Sequence, residues 1–466
     1  MRHLYWILGL FISTMSVFGQ TNVSGGIYQN TTWTLAGSPY IVTGSMVVFP
    51  GKTLTIEPGC EVRFTADYSF NTGNFLYLEI RGSLVAIGTD ANRIKFTSSD
   101  TTDGFSNWLG INIKGSQGGN VQLDRIELHN SWYGIYNDIA QPGVTYSFTN
   151  SRFKNNNYAI QLNADMNYTN CLFEKNAVGQ AAQIVYGSLT ADNCVFHQNF
   201  CSFTWSNYIN INNCFFSGNT NNIVGSPGTI QNSTFYNNAF AIAESSSKQI
   251  SNCVFDGNEV GIDDYGGSTI TNSQFVYNLV AIKMGDGTTV SSNIIENNVV
   301  GVQVRGTNPS GTQIVDNQLC YNTSYNLENL TDKNFQVNTN CFCSSDSTVI
   351  ENSIYDGYDD ITRGLVNYAI YDDSCSSILS YVTKVVLEET NGLPETNLVW
   401  NAWHANSELH LETDRALTIN VFNAIGQPIL TTAISPGKSN VPLTCTPGIY
   451  LIADNFGHQK RFIVTD

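Results

Sequence analysis

Asp263 and Lys283 stand 20 residues apart, Arg305 follows 22 residues later, Asp264 adjoins the first, and Glu244 lies 19 residues upstream. These are the residue types that acid–base chemistry on a polysaccharide needs. A lyase requires a base, a cation to stabilise an enolate, and often Ca²⁺ on carboxylates. The simpler reading is a stacked ion pair between Asp263 and Lys283, worth under about 1 kcal/mol. It is preferred because the loops at Gly266–Gly267, Gly285–Gly287 and Gly306–Gly311 are too short to wall a cleft. Asp263, Asp264, Lys283 and Arg305 are therefore candidates only, and no catalytic residue is assigned. Asp356, Asp359 and Asp360 offer oxygen ligands for Ca²⁺, but a turn and capping role is preferred. No other metal and no cofactor is expected. The six histidines, at 3, 129, 197, 404, 410 and 458, form no ligand spacing, and Cys341-Phe-Cys343 lacks the two-residue gap of a zinc knuckle. A nucleophile elbow, a Walker loop and a dinucleotide fingerprint are all absent.

What must position these residues is a repeat. Phe153, Phe173, Phe196, Phe216, Phe235, Phe255 and Phe275, continued by Ile295 and Leu319, are spaced by 20, 23, 20, 19, 20, 20, 20 and 24 residues. Three residues after each stands Asn: 156, 176, 199, 219, 238, 258, 278, 298 and 322. A second Asn column lies three before, from Asn150 to Asn272, then Ser292 and Asp316, and apolar columns run five before and seven after. About 20 residues is too short for two packed helices, and β-branched and aromatic residues alternate with polar ones. The period fits one turn of a solenoid with three short strands, stacked at about 4.8 Å. Apolar ladders fill its interior. The Asn columns fall at bends, where Asn tolerates a left-handed backbone and amides bond from coil to coil.

The pattern NxxFxxNxxGI, as in Asn252 to Ile262, resembles the right-handed parallel β-helix repeat of extracellular bacterial proteins. Pro50 to Phe64, Leu78 to Ser99 and Trp108 to Gly115 look like opening coils of that family, and Glu351 to Asp373 like its closing segment. The resemblance implies a fold rather than an activity, since lyases, hydrolases and adhesins share it. Downstream, VFNAIGQPIL, TPGIYLI and KRFIV resemble elements of the type IX secretion sorting domain of Bacteroidetes, although the usual Pro-Asn-Pro opening is replaced by VWNAWHANSELHL. That likeness implies the type IX machinery as a partner and an address across the outer membrane, on the cell surface or in the medium.

Eleven cysteines leave at least one unpaired within the chain. Cys171, Cys194, Cys214 and Cys253 share a column with Ser151, Ser233 and Ser273, so stacked buried thiols are expected there. Cys320, Cys341, Cys343 and Cys375 lie where the coils end and suit a stapling disulfide.

The 466 residues carry 21 Lys plus Arg against 38 Asp plus Glu, a net charge of −17, and 55 Asn. That acidity argues against nucleic acid. Residues 1–19 read as a signal peptide, and no later run of apolar residues is long enough to span a membrane. The expected organisation is an all-β chain. A right-handed parallel β-helix with its closing segment occupies 20–383, a linker 384–400, and a small β-sandwich, the sorting domain, 401–466. The expected function is non-enzymatic binding of glycans or other extracellular material, with Trp132, Tyr133, Trp205 and Tyr208 as stacking residues. The alternative is a polysaccharide lyase or glycoside hydrolase on the same scaffold.

Overall fold

The computed structural model describes residues 19–66, 75–100, 107–139, 144–177, 180–183, 187–204, 206–307, 311–372, 375, 401–405, 408–413, 416–422, 428–443, 448–454 and 459–464. The signal peptide apart from Gly19, the linker, and Trp205 lie outside them. The chain forms two units, Met1–Val385 and Val386–Asp466.

The first unit is a parallel β-solenoid of about 13 turns, a right-handed parallel β-helix. One coil shows the design: Lys248–Ser251, Val254–Asp256 and Val260–Gly266 belong to the first, second and third sheets. Each pairs in register with the equivalent strand of the next coil, as Ile250 with Ile270, Phe255 with Phe275 and Ile262 with Ile282. The pairing stacks identical side chains. From Phe153 to Phe275 the rings lie 4.5–5.0 Å apart, centroid to centroid, with planes within 15° of parallel. Every ring in the ladder is fully buried.

The two Asn columns do different work. Asn150, Asn170, Asn193, Asn213, Asn232, Asn252 and Asn272 adopt φ of 48–54°, turning the chain between the first and second sheets. The other column is buried and does not itself turn the backbone. That strain falls one residue earlier, at Asn155, Lys175, Gln198, Gly218, Asn237, Gly257, Tyr277, Asn297 and Tyr321. Each buried amide donates through Nδ2 to the next amide's Oδ1, which also accepts the preceding Asn's backbone N–H. This chain is unbroken from Asn156 to Asn326. The Ser/Cys column changes to Asn293, Asn317 and Asn340 in the last coils, and a second amide ladder begins there.

At the end of the solenoid a short helix, Ser347–Glu351, is capped by Asp346, whose side chain accepts from Thr348 N–H. Asp356 is fully buried and accepts from the backbone of Tyr358 and Val366, tying the closing turn to the strand Val366–Asp372. Disulfides join Cys320 to Cys343 and Cys341 to Cys375, as the position of these residues led us to expect. Cys171, Cys194, Cys214 and Cys253 are free, buried thiols.

The second unit is antiparallel. Asn401–Ala405, Glu408–Thr413 and Gly437–Pro442 make one sheet; Pro428–Ile434, Leu417–Phe422, Gly448–Asp454 and Gln459–Val464 make another, in that order. Alternating residues Leu409, Leu411, Leu417, Ile419, Val421 and Ile452 form its core. Among the described residues no helix is long and apolar enough to cross a membrane.

Candidate functional site

The third sheet presents an outward column of side chains, interrupted by a register shift after Ile242. Glu79, Asn112, Tyr136 and Gln161 are in register at its N-terminal end. Asp263, Lys283, Gln303, Glu328 and Tyr355 follow one another nearer the C-terminal end. Strand alternation places these side chains outward while Ile262, Ile282, Val302 and Leu327 face the core. Two clusters form on this column.

The C-terminal cluster corrects the sequence reading twice. Asp263 and Lys283 are register partners, yet the Asp263 carboxylate takes its ion pair from Arg305, two coils away. The guanidinium fork also reaches the Asp264 carbonyl at 3.4 Å and covers the Tyr265 ring at 5.1 Å. A lysine ammonium cannot make all three contacts at once. Lys283 has no ion pair among the described residues. Asp264 does not project outward. In strand Val260–Gly266 it alternates with Asp263 and so faces the core with Ile262, where it is fully buried and accepts from Ser268 Oγ (2.6 Å) and Thr288 Oγ1. Glu244 is exposed in a left-handed bend. Gln303 Nε2 donates to Glu328 at 2.8 Å, so that carboxylate is engaged as well.

Lys248, which sequence reasoning missed, is buried near Asp264 and donates from Nζ to the Gly225 carbonyl at 2.5 Å. Burial lowers its pKa to about 8, with the Asp264 charge acting in the opposite direction. The available signal was a lysine in a column otherwise filled by Gly228, Ser268 and Thr288.

The N-terminal cluster is aromatic. Tyr133 stacks on Tyr158 (5.5 Å between centroids, 26° between planes) and lies 5.2 Å from Tyr136 and 6.3 Å from Trp132. All four rings are half-buried. Gly134, with φ of 52°, allows this corner to close, since a Cβ there would stand 1.9 Å from the Ala159 carbonyl oxygen. Glu79 is buried beside the patch and bonded to Arg81 Nε at 2.5 Å. Asn112, between Glu79 and Tyr136 in the column, is also buried, and among the described residues its Oδ1 accepts no hydrogen bond. Burial pushes the Tyr136 phenol well above its usual pKa, and the Glu79 charge adds to the effect. The phenol therefore stays protonated near neutral pH, which suits a hydrogen-bond donor and not a base.

Of the four stacking candidates, Trp132 and Tyr133 come together here. Tyr208 sits on the first sheet, with its hydroxyl 2.9 Å from Thr229 Oγ1, and Trp205 lies outside the described residues. Sequence reasoning did not single out Tyr136 and Tyr158. Asp356, Asp359 and Asp360 turn their carboxylates onto backbone N–H groups of their own turn. Glu296 has a raised pKa through burial, but it lies on the second sheet, bonded to Gln318.

Two family profiles match the chain: a right handed beta helix region over residues 139–280, and a pectate-lyase like beta helix domain over residues 25–145. No curated protein matches it. Together with the solenoid they define a right-handed parallel β-helix repeat protein. The pectate-lyase like match spans Glu79, Arg81, Asn112 and Tyr136.

Proposed function

We propose that this protein binds an extracellular polysaccharide along the outward face of the third sheet, without cleaving it. The observation that carries the reading is the patch of half-buried rings Trp132, Tyr133, Tyr136 and Tyr158. Sugars offer apolar C–H faces that stack on such rings. Tyr133→Ala and Tyr136→Ala should each weaken binding on a glycan array by more than about fivefold, roughly 1 kcal/mol per lost ring. Unchanged binding in both would sink the assignment.

A second reading, a polysaccharide lyase or glycosidase, is favoured by the pectate-lyase like match over the same residues. It requires a free base. Glu79 is held by Arg81, Asp263 by Arg305, and the Tyr136 phenol is protonated. Turnover of acidic or neutral polysaccharides, abolished by Asp263→Asn, Lys283→Met or Glu79→Gln with the fold intact, would establish it.

We also propose that the protein is exported, with residues 1–19 removed as a signal peptide and 401–466 acting as a type IX sorting address. Support comes from the N-terminal apolar run and the three C-terminal motifs. Deleting residues 403–466 should leave the chain in the periplasm, and secreted material should end near the linker. Normal surface levels of the truncated chain would refute the address.

A further inference from the structure

We propose that the four cysteines at the end of the solenoid form a zinc site when their disulfides are reduced. Cys320, Cys341, Cys343 and Cys375 bring all four sulfurs within 4.8 Å of one another. Cys343 Sγ lies 3.4 Å from Cys375 Sγ, although each is bonded to a different partner. Four thiolates about 2.3 Å from a tetrahedral Zn²⁺ are about 3.8 Å apart. Opening the two disulfides lets bonded pairs separate toward that spacing while the other pairs close.

The backbone is arranged to converge. Cys343 and Cys375 adopt left-handed φ of 54° and 45°, and Cys341 Sγ receives the Cys343 N–H at 3.5 Å, which orients that sulfur. Cys320 and Cys341 are buried and Cys343 and Cys375 half-buried, so the cluster is shielded on one side and reachable from the other. A cavity with room for about one water adjoins Cys341 and Cys375 and is lined also by Asp316 and Asp372. The short Cys341-Phe-Cys343 spacing does not prevent this, because the ligands come from three separate segments. The stacked thiols of Cys171, Cys194 and Cys214 make the contrast. They run in a line along the axis, so no three converge on a point, and burial holds the Cys171 and Cys194 thiols protonated.

The chemistry balances with a dithiol reductant. Each disulfide takes two electrons and two protons from one dithiol, which becomes a disulfide. The four thiols then bind one Zn²⁺ and release four protons.

The test uses the full chain, reduced anaerobically with a dithiol and freed of excess reductant. Co²⁺ should give thiolate-to-cobalt charge-transfer bands saturating at one ion per chain, displaced by one Zn²⁺, and the oxidised chain should give none. Cys343→Ser and Cys375→Ser should each lower affinity by more than about tenfold, whereas Cys194→Ser should leave it unchanged. Absence of the bands, their persistence in both clasp variants, or their loss in Cys194→Ser would overturn the proposal. Where the clasp variants fail to fold, alkylation of the reduced wild type decides. Zn²⁺ should protect Cys343 and Cys375, and equal labelling with and without Zn²⁺ would refute the site.

Discussion

Replacing Asn258 by alanine tests how much of the solenoid's stability resides in its buried amides. Asn258 Nδ2 donates to the Phe235 carbonyl (3.1 Å) and to Asn278 Oδ1 (2.9 Å), while its Oδ1 accepts from Asn238 N–H (3.0 Å) and Asn238 Nδ2 (2.9 Å). Alanine removes all four bonds and keeps the backbone ones, the donation from residue 258 to Asn278 Oδ1 and the acceptance from Leu279 N–H. Each buried bond contributes about 1 kcal/mol net, and an orphaned buried donor costs about 1–3 kcal/mol. The Asn238 N–H and one of the two Nδ2 protons (the other stays on the Phe216 carbonyl) become such orphans, with no water route, because Asn238 and Asn258 are both about 2% exposed. The expected loss is therefore roughly 3–5 kcal/mol. Asn258→Asp separates donor from acceptor. It keeps the acceptor for Asn238 but faces the Phe235 carbonyl and Asn278 Oδ1 without a proton, so it should be at least as damaging near neutral pH. Urea unfolding of the full chain, with the denaturant slope unchanged, gives the number. A loss below about 1 kcal/mol for the alanine variant would show that the ladder follows the fold without stabilising it.

Lys248 should make stability depend on pH. Its folded pKa, about 8, lies below the unfolded value of 10.5, so the unfolded chain binds more protons between them. The destabilisation is full below about pH 8 and is relieved as pH rises toward 10.5, by on the order of 3 kcal/mol; Lys248→Met should abolish that rise in thermal unfolding scans. The disulfides close separations of 23 and 34 residues, and each should stabilise the terminal coils by about 3–4 kcal/mol in the loop-entropy picture. Cys341→Ser should accordingly raise hydrogen exchange in Phe335–Cys341 and Val366–Asp372 while leaving the central coils unchanged. Arg305→Ala should cost about 1 kcal/mol or less, since the pair with Asp263 is partly solvated; a several-fold larger loss would mark a structural role that the sheet does not suggest.

The sequence by itself determined the coil. A period near 20 residues with Phe, Asn and Ile in fixed columns admits one economical packing, because in-register parallel pairing makes each column a ladder of identical contacts. Phe153 to Phe275 and the amides from Asn156 to Asn322 were legible for that reason, as were the clasp cysteines. Tertiary structure alone decided how neighbouring coils place their outward and irregular residues. Asp263 and Lys283 share a register, but Arg305 takes the carboxylate, because side-chain reach and ring stacking are not recorded in spacing. A register shift after Ile242 offsets Ser245 onto Asp264, and Lys248 is buried near that carboxylate with its Nζ on the Gly225 carbonyl; no period announces a local bulge. The aromatic patch likewise depends on a corner. Tyr133, Tyr136 and Tyr158 meet where Gly134 lets one coil close on the next, and that convergence exists only once the coils are stacked.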